Sequence, residues 1–104
     1  MKPPEHLKPA TKEWFAAVIK DYKLQDHHIR LLSLAGEAWD RGQQAREGIE
    51  ANGLTFVDRF GAPHARPEIA IERDSRIAFA RMLRELCLDL EPPAENRPPA
   101  IGGR

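Results

Sequence analysis

Apolar positions fall into three runs with helical spacing, separated by stretches rich in turn residues. Trp14, Phe15, Val18 and Tyr22 recur at i, i+1, i+4 and i+8, which predicts one face of a short helix over residues 12–22. Thr11 is placed to cap it, with Glu13 in the first turn where the helix dipole favours an acid. Lys23-Leu24-Gln25 reads as a tight connection, and Asp26 as the cap of a long second helix over 27–52. The stripe of that helix, Leu31, Ala35, Ala38, Gly42, Ala45 and Ile49, is spaced 4, 3, 4, 3 and 4. Leu32, Leu34 and Trp39 broaden it. The stripe is bulky at its start and small in its middle, where small residues admit the close approach of another helix backbone. Each interior glycine costs about 1 kcal/mol against alanine. A compact crossing accounts for Gly42, whereas Gly48 has no local role in the pattern.

Asn52-Gly53 is a stop signal for the second helix. Leu54-Thr55-Phe56-Val57 has strand character, Asp58-Arg59-Phe60-Gly61 turns, and Ala62-Pro63-His64-Ala65 leads out, predicting a short β-hairpin or an ordered loop near 54–62. Pro67 suits the first turn of a third helix at about 67–88, with Glu68 and Glu72 near its positive end. Phe79, Ala80, Leu83, Leu86, Cys87 and Leu90 form its apolar face, which predicts Cys87 as a small buried residue. The expected fold class is mainly α. A flexible segment at 1–10 precedes a single helical oligomerisation domain at 11–90, and an extended Pro-rich tail occupies 91–104.

At about 1.5 Å per residue the second helix is near 40 Å long, more than a globule with a radius of gyration of about 13 Å covers. Part of its stripe is therefore expected to meet the third helix or another subunit. The candidate subunit-interface residues are Leu31, Ala35, Ala38, Trp39, Gly42, Ala45 and Ile49.

Charge narrows the partners. Sixteen Lys+Arg balance sixteen Asp+Glu in 104 residues, which excludes a uniformly basic nucleic-acid binder and requires any phosphate contact to come from a local patch. All the lysines, Lys2, Lys8, Lys12, Lys20 and Lys23, lie in the first quarter of the chain, and up to Lys23 they are accompanied only by Glu5, Glu13 and Asp21. They form the candidate DNA-binding strip, with Lys12, Lys20 and Lys23 expected on one helix face. One cysteine excludes an intramolecular disulfide framework. The adjacent His27 and His28 point apart on a helix and do not chelate one ion. There is no phosphate-binding glycine loop, nucleophile elbow or paired-histidine zinc motif. No catalytic residue, metal or cofactor is therefore expected. No apolar run approaches membrane-spanning length, and Met1 to His6 lacks the apolar core of a signal peptide, so the expected location is cytoplasmic.

The stretch ARPEIAIERDSRIAFARMLRELCLDLEPP, from Ala65 to Pro93, followed by RPPAIGG, resembles the C-terminal half of phage terminase small subunits. The upstream pieces fit in the same order: Trp14-Phe15, Tyr22-Lys23-Leu24, Leu31-Leu32, Trp39-Asp40-Arg41, the Asn52-Gly53 break and Val57-Asp58-Arg59-Phe60-Gly61. The resemblance covers about residues 6 to 103. Two positions depart from the commonest pattern: His64 is separated from Pro67 by Ala65-Arg66, and Cys87 stands where Gly or Asp is more usual. The resemblance implies a non-enzymatic packaging protein of a tailed phage or prophage, working in the host cell cytoplasm. Such a protein forms a closed ring, binds double-stranded viral DNA, and recruits and regulates the large terminase subunit that carries the ATPase and nuclease. Two other classes fit parts of the pattern. One is a helix-turn-helix regulator, disfavoured by the length of the second helix and by its acids Glu37, Asp40, Glu47 and Glu50; the other is a helical phage adaptor that binds only proteins.

Overall fold

A computed structural model describes residues 2–88. The chain is mainly α-helical: α1 (Pro9–Asp21), α2 (Asp26–Asn52), β1 (Thr55–Val57), β2 (Pro63–Ala65) and α3 (Pro67–Glu85). The expected Pro-rich tail at 91–104 lies outside the described residues.

Helix α1 starts earlier than its apolar spacing predicts. Pro9 opens it and Lys8 is the N-cap residue, with no side-chain cap of its own. Thr11 is therefore inside the helix, where it is buried. Its hydroxyl donates to Asp40 Oδ1 of α2 at 2.5 Å, and the Lys8 N–H donates to Asp40 Oδ2 at 2.8 Å. One carboxylate of α2 thus holds the N-terminus of α1, where the helix dipole also favours negative charge. The residues before α1, expected as a flexible lead-in, lie across α2. Leu7 is buried, and His6 Nε2 sits 2.7 Å from Glu37 Oε2.

Helix α2 begins one residue before its predicted start, and its cap is Gln25 rather than Asp26. His28 Nδ1 accepts from the Gln25 N–H at 3.2 Å, so this histidine acts in the cap. Gly53 ends the helix at φ 86°, a backbone conformation that side chains rarely adopt.

Helix α3 packs along α2. A Cβ on Gly42 would stand 3.3 Å from Ser75 Cβ, and one on Gly48 would stand 3.2 Å from Glu68 Oε2. Both glycines therefore admit α3, and Gly48 acquires the role that its sequence context lacks.

The core gathers at one end, where α1, the first half of α2 and the end of α3 meet. Leu7, Phe15, Val18, Leu32 and Leu86 form it, with Trp14, Ile19, Tyr22, Leu24, Ile29, Leu31 and Leu88 packed around.

Helix α3 ends at Glu85, short of its predicted end at 88. Cys87 takes φ 62° and is exposed, against the expectation of burial on the apolar face. Its N–H donates to the Arg84 carbonyl at 2.9 Å, and the Leu88 N–H donates to the Leu83 carbonyl at 2.8 Å. These two bonds are the paired closure of a Schellman motif, in which the Cys87 position favours glycine. Cys87→Gly relieves the left-handed strain but loosens the unfolded chain. The net expectation is a stability gain of about 0.5–1 kcal/mol, read from the denaturant midpoint at unchanged slope.

Candidate functional site

Two apolar surfaces stand out, one on the hairpin and one beside Trp39. The strands pair antiparallel with Thr55 opposite Ala65, Phe56 opposite His64 and Val57 opposite Pro63. The turn between them is built on Asp58. Asp58 Oδ1 accepts from the N–H groups of Phe60 at 2.8 Å and Ala62 at 3.0 Å, and Oδ2 meets His64 Nε2 at 2.7 Å. His64 also stacks on Phe56, with ring centroids 5.3 Å apart. At the base, the Arg66 N–H donates to the Leu54 carbonyl at 2.9 Å. This tight frame turns apolar groups outward: Leu54, Phe56, Val57 and Phe60 are all exposed, and Phe60 at the tip is 80% exposed. The Arg59 guanidinium lies 4.9 Å from the centre of the Phe60 ring. The strand character of Leu54-Thr55-Phe56-Val57 places Phe56 and Val57 in a strand, but no pattern in the sequence marks Phe60 as a projecting group.

The His64 hydrogen bond, aided by the Ala62 and Phe60 N–H groups, holds the Asp58 carboxyl below its ordinary value. A depressed acid stabilises the folded turn fully above the ordinary value of 3.8, and the contribution is lost as pH falls through the lower folded value. Below about pH 4 the Phe60 and Ala62 amides are therefore expected to lose hydrogen-exchange protection before the helical core does. Exchange followed residue by residue across roughly pH 2 to 6, which spans the ordinary Asp range, checks the order.

The second surface is a shallow cleft of about 320 Å³ lined by Ala10, Thr11, Trp14, Trp39 and Phe79. Phe79 stands between the two indoles, 5.7 Å from Trp14 and 5.1 Å from Trp39 by ring centroids. Trp39 remains 45% exposed. Three elements contribute one aromatic each, so the cluster has no local signature in the sequence.

Most of the predicted interface stripe is occupied within the chain. Ala35 and Ala45 are buried. Gly42 backs onto Ser75, while Leu31, Ala38 and Ile49 are partly buried. Of that set only Trp39 is exposed.

The lysines do not share one helix face. Lys12 is partly buried on α1 and Lys20 is exposed near its end, whereas Lys23 lies past the Tyr22 cap in the connector. Lys2 and Lys8 are exposed on the segment before α1, and Lys8 Nζ comes 3.9 Å from Glu47 Oε1. Several arginines of α3 and its neighbours are engaged: Arg76 with Glu72 at 3.2 Å, Arg46 with Glu72 at 3.8 Å, and Arg73 with Asp74 at 3.1 Å. Arg66 and Glu68 pair at 3.4 Å beneath the hairpin. The Glu68 carboxyl is held below its ordinary value by its own backbone N–H, against the cost of burial and with help from Arg66.

No group of three or more His, Cys, Asp or Glu among the described residues is arranged to hold a metal ion, and none of the described helices is long and apolar enough to cross a membrane. No family model, curated protein or solved structure matches the chain.

Proposed function

We propose that this chain is the small terminase subunit of a tailed phage or prophage. In this reading it is a non-enzymatic protein that forms a closed ring, holds viral double-stranded DNA, and recruits and regulates the large terminase subunit. The observation that carries the reading is the exposed apolar surface of the hairpin, where Leu54, Phe56, Val57 and Phe60 all face outward, together with the half-exposed Trp39 of the aromatic cleft. Such a surface on a small chain calls for a partner. A protein that works as a ring supplies that partner from its own copies.

The charge distribution supports the DNA half of the reading. Lys20 and Lys23 lie before α2 and the hairpin lies after it, so about 40 Å of helix separates these two lysines from the apolar tip. One subunit's lysines make a weak phosphate site, and a ring repeats them toward a single polyanion. Binding is then moderate, nearly independent of sequence and steeply weakened by salt. The test is a gel shift of duplex DNA at several salt concentrations, comparing the protein with a Lys12→Ala, Lys20→Ala, Lys23→Ala variant. Weaker binding and a flatter salt slope in the variant, with assembly unchanged, support the reading. Unchanged affinity moves the DNA contact off this strip. An assembly indifferent to DNA favours the adaptor class, and a dimer with tight site-specific binding favours the regulator.

A further inference from the structure

Resting on the ring reading, we infer that the hairpin tip of one copy docks head-to-tail into the aromatic cleft of the next, with Phe60 as the knob and Trp14, Trp39 and Phe79 as the hole. The two halves of this contact are built separately on one chain and cannot meet within it. Trp39 is thirteen residues before Asn52, where the hairpin leaves α2, so about 20 Å of straight helix keeps them apart. The occupant is therefore a second copy.

Chemistry matches knob to hole. Phe60 is an almost fully exposed ring on a turn pinned by Asp58, so it loses little freedom on docking. The cleft presents three aromatic rings and is of a size for one more. Charge matches as well. Arg59 rides beside Phe60, and Glu13 is exposed on α1 next to Trp14, sharing a face with Ala10 of the cleft. Among the described residues neither Arg59 nor Glu13 has an ion-pair partner within its own chain. A two-stranded hairpin alone is marginal in water, and docking gives its apolar side chains a place to be buried. Because knob and hole are different patches, the contact is heterologous, the type that propagates into a ring when the rotation closes.

The test uses two variants at exposed positions. Phe60→Asp removes the knob, and Ala10→Arg plugs the cleft and repels Arg59. Each alone is expected to weaken self-association about 100-fold or more, giving monomer at micromolar concentration with an unchanged circular dichroism spectrum. Mixed together they are expected to form a one-to-one complex of twice the chain mass, because the open cleft of the first accepts the intact tip of the second. Monomers that fail to combine on mixing overturn the head-to-tail contact, and an Ala10→Arg variant that still self-associates overturns it in favour of a like-with-like pairing of hairpins. If the unaltered protein assembles and Phe60→Asp assembles equally well, this contact is wrong while the ring reading stands. If the unaltered protein is itself monomeric, the ring reading fails and this contact fails with it.

Discussion

Asp40→Ala is expected to destabilise the protein by about 3 kcal/mol, since two hydrogen bonds to a charged acceptor are lost together. The Lys8 N–H and the Thr11 hydroxyl both end on this carboxylate. Removing it leaves the hydroxyl of the buried Thr11 without its acceptor and the start of α1 without its anion. The expected fall in Tm is about 15 °C for a domain of this size. Asp40→Asn keeps the shape and one acceptor oxygen, so it is expected to recover roughly half of the loss. Thr11→Val removes the hydroxyl but retains the Lys8 bond, and in a double-mutant cycle with Asp40→Ala the coupling is expected to exceed about 1 kcal/mol. Additive losses in that cycle, measured by denaturant unfolding at fixed protein concentration, contradict the proposed tie.

Phe15→Ala has the larger expected cost, about 4 kcal/mol. Phe15 is completely buried at the junction of the three helices, in the buried cluster that joins them. Against a total stability of about 5–15 kcal/mol, the loss leaves a marginal fold. Phe60→Ala is the matching control. It removes the same side chain from an exposed tip and is expected to change the stability of the isolated subunit by less than about 0.5 kcal/mol. The contrast between the two phenylalanines, read from unfolding midpoints, distinguishes the core ring from the surface ring. A loss below about 1 kcal/mol for Phe15→Ala contradicts the assignment of a single core at this end of the molecule.

What could be read from the sequence depended on whether the determining contacts were local. Helix α2 was legible to within a residue because its stripe is regular and Asn52-Gly53 is a strong local stop. The hairpin was legible as a choice between hairpin and loop, and three residues per strand explain why the signal was no stronger. The start of α1 was misplaced because Thr11 looks like a cap, while its actual partner is Asp40, twenty-nine residues away. The predicted end of α3 overruns the helix because the apolar face of the sequence continues through Leu86, Cys87 and Leu90, and no local rule announces a left-handed cysteine there. Gly48 has no local reason to be glycine, because its neighbour is Glu68 of α3, across the helix pair.

The candidate surfaces follow the same division. The small-residue stripe was visible, but whether it served α3 or a second subunit depended on tertiary packing, and α3 takes most of it. The aromatic cleft joins positions 14, 39 and 79, whose proximity no spacing encodes. The lysine concentration was visible as composition, whereas its division between α1, its lead-in and the connector required the helix boundaries.

Native mass spectrometry of the purified protein at micromolar concentration shows whether another copy of the same chain covers the exposed hairpin. One dominant species is expected at a whole-number multiple, three or more, of the 11.8 kDa chain mass, as for a closed ring. A spectrum containing only the 11.8 kDa monomer contradicts it.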